Sequence, residues 1–458
     1  VSHQPILSRA VGLAVAGLLG ATAWAAPDPA ADTAAGSLAL TLADAVQRGL
    51  EHNLAALLAE QQVASATGAA RAARARLWPG LDAELSENRT KINLEAYGFP
   101  VAPGESPLIG PFNVFDARLS SSAPIWDQRV RAGARSARAT ADAAHADLDD
   151  VRDQVVLAVS SLYLEAVAAE ARVAALQSQV DSAASLAEQA RDMKASGLVA
   201  RVDVLRAEVQ LAAEQQRQIV ASNHAATSKL SLARAIGLPL DRTLELVDRP
   251  SYRPTLALTP AAALQRALAN RADLAALDAS LEAARQELRA AKGGGLPSLV
   301  AHGDVGRIGP SPSTAETTYT IGAALRVPLF TGGEVAGRVE QAQARITALE
   351  ARRVDLSQRI ELEVRTALLD LGAADARVRV AQRATGVADA QLEQTRDRFA
   401  AGVADGVEVV QAQEAVATAH ENQIASLLAF NRAQVVLARA LGIAADDLAG
   451  STEPGGQP

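Results

Sequence analysis

Residues 127–196 read DQRVRAGARSARATADAAHADLDDVRDQVVLAVSSLYLEAVAAEARVAALQSQVDSAASLAEQARDMKAS. The stretch holds no proline, and its only glycine is Gly133. Small apolar residues recur at Val130, Ala134, Ala137, Ala141, Ala144, Leu148, Val151, Val155, Ala158 and Leu162. Those steps alternate four and three, the seam of a coiled coil. One extra step of four leads to Ala166, and the alternation resumes through Ala169, Val173, Leu176, Val180, Ala183, Ala187 and Ala190. At 1.5 Å per residue, about 70 residues of helix span roughly 105 Å. A helix that long is a strut, and a strut needs neighbours along its whole length.

The neighbour lies in the same chain. Gly197-Leu198-Val199 breaks the helix, and a second helical run follows from about Val202 to Ile236. Glycine suits the left-handed residue that ends a helix, so the pair reads as a helical hairpin. The hairpin then occurs again. SGLVARVDVLRAEVQLA at Ser196 to Ala212 is matched by AGVADGVEVVQAQEAVA at Ala401 to Ala417, and Gly237-Leu238 by Gly442-Ile443 at the same offset. The long helix has its twin from about Gly333 to Ala400. The chain is a tandem duplication of some 200 residues, with repeats expected at 27–239 and 240–443 and a flexible tail at 444–458.

Composition agrees. The chain has 458 residues, of which 49% are apolar and only 3% aromatic. Alanine dominates, and its helix propensity and small size suit long, closely packed helices. A net charge of -8 argues against nucleic acid as a partner. Residues 1–26 read as a secretory signal peptide: Arg9 supplies the basic start, Ala10 to Ala23 the apolar stretch, and Ala23-Trp24-Ala25 a small-residue cleavage site. There is no cysteine, hence no disulfide and no lipid attached through one. No later segment reaches ~20 consecutive apolar residues, as an inner-membrane helix would require.

Each repeat opens with two shorter helices. Thr41 with Asp44 makes a capping box for a helix to about Glu51, and a second runs from about Leu54 to Leu77. In the other repeat Thr259-Pro260 starts a helix to about Asn270, followed by one to about Lys292. The period then changes to two. Leu81, Ala83 and Leu85 alternate with polar residues, Asn88 to Asn113 reads as a loop, and alternation returns from Phe115 to Ile125, where Pro124 is expected to close the strand. The second copy pairs Ser298–Ile308 with Thr317–Val327. The hairpin strands are thus expected at about 80–125 and 298–328, and the long helices at about 127–236 and 332–441. Gly237 to Leu258 reads as an extended connector.

Eight of the thirteen aromatics lie in or beside these hairpins: Trp78, Tyr97, Phe99, Phe112, Phe115, Trp126, Tyr319 and Phe330. A membrane-interface girdle has that distribution. So does a small water-soluble sheet built around aromatics, and strand pattern alone leaves both open. Four strands cannot close a barrel across a membrane, and open edges are excluded in lipid. If the hairpins are inserted, several chains must share one barrel.

The duplication, the proline-marked hairpin exits APIWD and VPLFTGG, and the paired tips SGLVARVDVLRAE and AGVADGVEVVQAQE resemble the TolC-like outer-membrane efflux proteins. The resemblance covers about Ser37 to Ile443. It implies a mainly α chain with membrane β-hairpins. Three copies would form a twelve-stranded transmembrane β-barrel continuous with an α-helical tunnel across the periplasm of a Gram-negative bacterium. It implies a homotrimer in outer-membrane lipid, a periplasmic adaptor (membrane fusion) protein at the tips, and an inner-membrane transporter. The function expected is a passive export duct for small molecules, opened as the hairpins uncoil at the tip. Protein secretion, metal efflux and, in another class, a soluble periplasmic coiled-coil scaffold are the alternatives.

The resemblance also implies site residues. Asp203 and Glu408 hold the same place in the first turn of each returning helix, where family acids line the closed aperture and favour cations. Six carboxylates in three chains would make a strong local field; each acid also simply complements a helix N-terminus. Where the family often has a second acid one turn later, this chain has Arg206 and Gln411, and the second tip has Ala404 and Asp405 in place of the family's basic latch residues. Gly197, Leu198, Val199, Gly402 and Val403 are the expected adaptor-contact tips. His52, His145, His224, His302 and His420 are scattered without metal-ligand spacing. No nucleophile elbow, P-loop or dinucleotide fingerprint occurs. No cofactor, metal or enzymatic activity is expected.

Overall fold

The computed structural model describes residues 37–102, 104–249, 251–252, 258–401, 403 and 406–444. The expected leader, the segment 27–36, the tip residues Gly402, Ala404 and Asp405, and the tail from 445 lie outside the described residues. Along the chain come β1 (Leu38–Leu40), α1 (Leu42–His52), α2 (Leu54–Ala75), β2 (Gly80–Asn93), β3 (Leu108–Trp126), α3 (Gln128–Ala195), α4 (Arg201–Ala235), β4 (Leu244–Leu246), α5 (Pro260–Asn270), α6 (Ala272–Gly293), β5 (Ser298–Gly309), β6 (Glu316–Arg326), α7 (Glu334–Ala400) and α8 (Gly406–Leu441).

The struts form as the spacing demands. Asp127 caps α3, its carboxylate accepting the Val130 N–H at 3.0 Å. At the far end the Leu198 N–H donates to Met193 O at 2.8 Å and the Gly197 N–H to Lys194 O at 2.9 Å, with Gly197 at φ +74°. That is a Schellman ending, which turns the chain sharply. α4 then packs along α3, and α8 along α7. α3 also lies against α8, so the long helices form a row with α4 and α7 at its two ends. α3 and α8 are each long and apolar enough to cross a membrane, but half of that window in α3 is already buried inside the chain.

Near the sheet α6 lies along both α3 and α7 and α2 along α3, continuing the row, while α1 packs on α2 and α3 and α5 on α7 and α8 as a belt. Val155, Val156, Val159, Tyr163 and Val167 of α3 are buried under Leu40, Ala45, Val46, Leu232 and Ile236. Ile360, Val364 and Ala367 of α7 are buried under Ala263, Ala267, Leu274, Leu437 and Leu441. These are the places where the apolar stripe widens in sequence. The belt contains a piece that sequence reading missed: β1 and β4 pair in parallel, Leu38 beside Leu244 and Leu40 beside Leu246. Three-residue strands are too short to display a period. Tyr163 holds this patch, its hydroxyl donating to Asp248 Oδ2 at 2.7 Å and lying 2.9 Å from Leu40 O.

Both hairpins join one four-stranded antiparallel sheet, in the order β2-β3-β5-β6. Two boundaries differ from expectation. β2 continues to Asn93 and β3 begins at Leu108, so the loop is shorter than Asn88 to Asn113. The residues Glu87 to Lys91 are polar on both faces and hide the alternation. Pro124 does not end β3, which runs on to Trp126 through a register shift between Pro124 and Trp126. A bulge is where a strand accommodates a missing N–H donor.

The return helices end alike. Gly237 (φ +70°) lies against His52, and Gly442 (φ +71°) against the joint between α5 and α6. A Cβ on Gly442 would sit 2.9 Å from both Asn270 C and Arg271 N, backbone atoms that cannot swing aside. A left-handed non-glycine residue alone costs about 1–3 kcal/mol. Gly442→Ala is therefore expected to lower the thermal midpoint of the folded protein by several degrees. Gly133→Ala, whose Cβ meets open space at negative φ, serves as the neutral control.

Candidate functional site

The sheet has two unlike faces. Register puts Ala83, Leu119, Val305 and Tyr319 in one row and Leu81, Ser121, Gly303 and Ile321 in the next, on the same side. Among the described residues nothing covers that side: Leu81 is 69% exposed, Leu85 73%, Tyr319 75% and Ile321 84%. Trp78 and Phe330 stand exposed at the helical end, and Tyr97 and Phe99 at the far end. The described sheet is thus not folded around a core of its own, and its exposed side has the distribution of a lipid-facing wall with interfacial aromatics.

The other face is polar. Asp82, Glu84, Asp116, Ser120, Ser122 and Asp304 lie there, with Arg118 at the centre. The Arg118 guanidinium donates to Asp304, to Asp116 Oδ2 at 3.4 Å and to Thr318 Oγ1 at 3.3 Å, tying the two hairpins together. The alternation from Phe115 to Ile125 puts Arg118 on the polar side but does not reveal its partners in the second repeat. β2 and β6 form the sheet's outer edges, with backbone groups unpaired.

The helical row has matching open ends. α7 exposes Leu362, Leu369, Val380 and Val387, separated by steps of seven and eleven that return to one face. α4 exposes Val202, Leu205, Val209 and Val220. Both stripes lie on the end members of the row, and α7 follows directly from the edge strand β6.

At the tips, Leu198 and Val403 are exposed, and Val199 packs partly against a cluster of Leu186, Ala187, Ala190, Val204, Ala207, Phe399 and Val409. Phe399 and Val409 come from the second hairpin, so this cluster joins the two tips. Asp203 and Glu408 lie close to that seam, but each has arginine beside it. Asp203 accepts the Ala200 N–H at 3.3 Å and Arg206 Nη1 at 3.3 Å. Glu408 accepts Arg398 Nη1 at 2.9 Å across the hairpin. Arg206 stands where the family often has an acid, so the local field is weaker than bare carboxylates would make it. Among the described residues no group of three His, Cys, Asp or Glu is placed to hold a metal.

The belt carries the strongest electrostatics outside the sheet. Arg271, 4% exposed, binds Asp273 through Nε at 3.0 Å and Nη2 at 2.6 Å, and reaches Glu363 with Nη1. Burial opposes its charge, yet the bonds to Asp273 and Glu363 outweigh burial and its pKa is raised. Burial pushes the Asp273 carboxyl up, but the Arg271 guanidinium overrides it and holds that carboxyl below its ordinary value. Asp150 bonds Arg439, and burial still leaves its pKa raised. Asp147, beside it, is raised by burial and by the Asp150 charge.

The sequence model of a family described as outer membrane efflux protein matches residues 45–238 and 263–443. The chain is 24% identical over 320 residues to the alkaline protease secretion protein AprF of Pseudomonas aeruginosa, covering 67% of this chain and 65% of that protein. It is also 24% identical over 404 residues to the pyoverdine export outer membrane protein OpmQ of the same species, covering 87% of this chain and 84% of the other. The fold is similar to the crystal structure of the outer membrane protein VceC from Vibrio cholerae, with TM-score 0.74 and 21% identity, over 88% of this chain and 96% of that one.

Proposed function

The chain belongs to the outer membrane efflux protein family, and on that premise we propose that three copies close into a twelve-stranded barrel and a helical duct that carries solutes out of the periplasm. It is an outer-membrane channel protein. The observation that carries the trimer is the sheet: an uncovered apolar face outside, a charged face behind it, and two unpaired edges. Lipid tolerates no open edge, so β6 of one copy pairs with β2 of the next. The exposed stripe of α7 then meets the exposed stripe of α4 from the neighbour. Repeat symmetry supports the same pairing: α6 lies over both α7 and α3, whereas its counterpart α2 lies over α3 alone and leaves Leu54 and Leu58 exposed.

The duct is passive. A periplasmic adaptor protein meets the tips at Gly197, Leu198, Val199, Gly402 and Val403, and an inner-membrane transporter supplies the energy. Asp203 and Glu408 form the aperture, with Arg206 and Arg398 moderating their charge. On this reading residues 1–26 are the export leader, and 27–239 and 240–443 the two repeats; Ala444, expected to open the tail, is instead buried in the belt cluster. Small molecules are the cargo on this reading. The printed name of AprF, a protease secretion protein, makes protein export the second reading.

The expected result is a heat-modifiable trimer in the outer-membrane fraction that gives single-channel conductance in planar bilayers. Leu198→Asp with Val403→Asp is expected to leave trimer and conductance intact while abolishing efflux in cells. A monomer that stays dissolved without detergent would overturn the trimer. Normal efflux by the double variant would remove the tips as the adaptor contact.

A further inference from the structure

All four long helices line one cavity of about 310 Å3. Ser182 lies in it, about 20 Å along α3 from the tip. Its walls are mixed. Ala175, Leu392 and Val416 are apolar, while Gln179 from α3, Glu214 from α4 and Gln413 from α8 are polar. Glu214 is 3% exposed and Gln413 is 8% exposed. Three buried acceptor atoms around this one space have no partner: Gln179 Oε1, Glu214 Oε2 and Gln413 Oε1. The other carboxylate oxygen of Glu214 is well used, accepting Gln210 Nε2 at 2.7 Å and Arg217 Nη1 at 2.9 Å. Ser182 Oγ accepts Gln413 Nε2 at 3.2 Å and a bond from Arg396.

A buried acceptor left without a donor costs about 1–3 kcal/mol. Three such atoms around one cavity call for a guest that donates hydrogen bonds. A metal or ammonium ion is disfavoured because the Arg396 guanidinium already lines the same space. Water donates without adding charge. A share of about 30 Å3 per molecule leaves room for several.

We propose that this cavity is a built hydration site, and that ordered water bridging Gln179, Glu214 and Gln413 forms a wet joint between the two helical hairpins. Below it lies the apolar cluster of Phe399 and Val409, and above it the small cluster of Ala388, Val416 and Ala419. Apolar layers must be unpacked before the hairpins separate. A water-bridged layer exchanges its bonds with solvent at little cost, so separation starts there. That consequence rests on the channel reading; the hydration does not.

The test has three arms. Density at high resolution from the purified protein is expected to show water within hydrogen-bond distance of all three acceptors. A dry cavity, or side chains turned to bond one another, would overturn the site. Methylammonium is expected to leave the thermal midpoint unchanged, and a rise would make the guest a cation instead. The near-isosteric triple change Gln179→Met, Glu214→Met and Gln413→Met removes the acceptors, and Arg217 keeps Glu414. It is expected to leave the cavity without ordered water in the same density and to reduce efflux at least several-fold. Water still ordered there would count against the site, and a dry cavity with full efflux would remove the joint. Wild-type conductance is measured alongside, so loss of the channel reading is seen separately.

Discussion

Ile321→Lys is expected to eliminate the protein from the outer membrane. Ile321 stands in the middle apolar row of the sheet, on the edge strand β6, 84% exposed with no cover from its own chain. A lysine at the bilayer midplane costs about 2–4 kcal/mol per copy. In a trimer that is about 6–12 kcal/mol in one ring, comparable with the whole stability of many domains. Thr320→Lys, one residue away, is the control. Thr320 pairs with Asp304 on the polar face, where a cation faces the lumen and meets acidic neighbours. It is expected to insert normally and to change only ion selectivity. Heat-modifiable trimer in membrane fractions reads both variants. A periplasmic scaffold would reverse the pattern: Ile321→Lys would then improve solubility and cost nothing.

How much of this was legible in the sequence depends on the length over which a pattern repeats. α3 was legible to within a residue because a three-four alternation over more than sixty positions has no competing explanation, and α7 followed as its twin. The first tip was legible because Gly197 marks a left-handed ending, as Gly442 does at the end of α8. The sheet was legible only where one side is apolar. Beyond Leu85 the strand becomes polar on both faces and alternation carries no signal, so Asn88 looked like loop although it pairs with Val114. Pro124 misled because a lone residue cannot announce a bulge. Pairings across the duplication were illegible in principle: Arg118 with Asp304 and Arg439 with Asp150 depend on which helix or strand lies alongside, and a single sequence does not state that. The site suffered most. Asp203 and Glu408 were chosen by position, while Arg206 was visible only as a departure from a family pattern and Arg398 was not singled out at all.

Arg271→Ala is expected to be the most destabilising change in the belt, by about 3–5 kcal/mol. The guanidinium grips Asp273 with two nitrogens and extends to Glu363 on α7. Its removal leaves Asp273 half-buried near Asp150 with one cation, Arg439, for both. Lysine is not expected to rescue it, because a point charge cannot reproduce the fork that fits a carboxylate. Arg271→Ala with Asp273→Asn is expected to recover part of the loss, since the uncompensated charge is then gone. The pH dependence separates this from mere loss of packing. Asp273 has a folded pKa held down by Arg271, so its contribution is present near neutrality and disappears in strong acid, as pH falls through that lowered value. Asp150, partly buried, has a folded pKa raised by burial, and Asp147, exposed to solvent that screens the effect, is raised more modestly by burial and by the Asp150 charge. Protonating them relieves a desolvated charge, so their effect is a gain in stability on mild acidification. The native protein should therefore melt higher in mildly acidic buffer than at neutrality and lower again in strong acid. In Arg271→Ala the mild-acid gain should grow, because Asp273 becomes a third carboxylate that burial pushes upward. Thermal midpoints of both proteins across that pH range decide the matter; parallel curves would mean that Arg271 acts through packing alone.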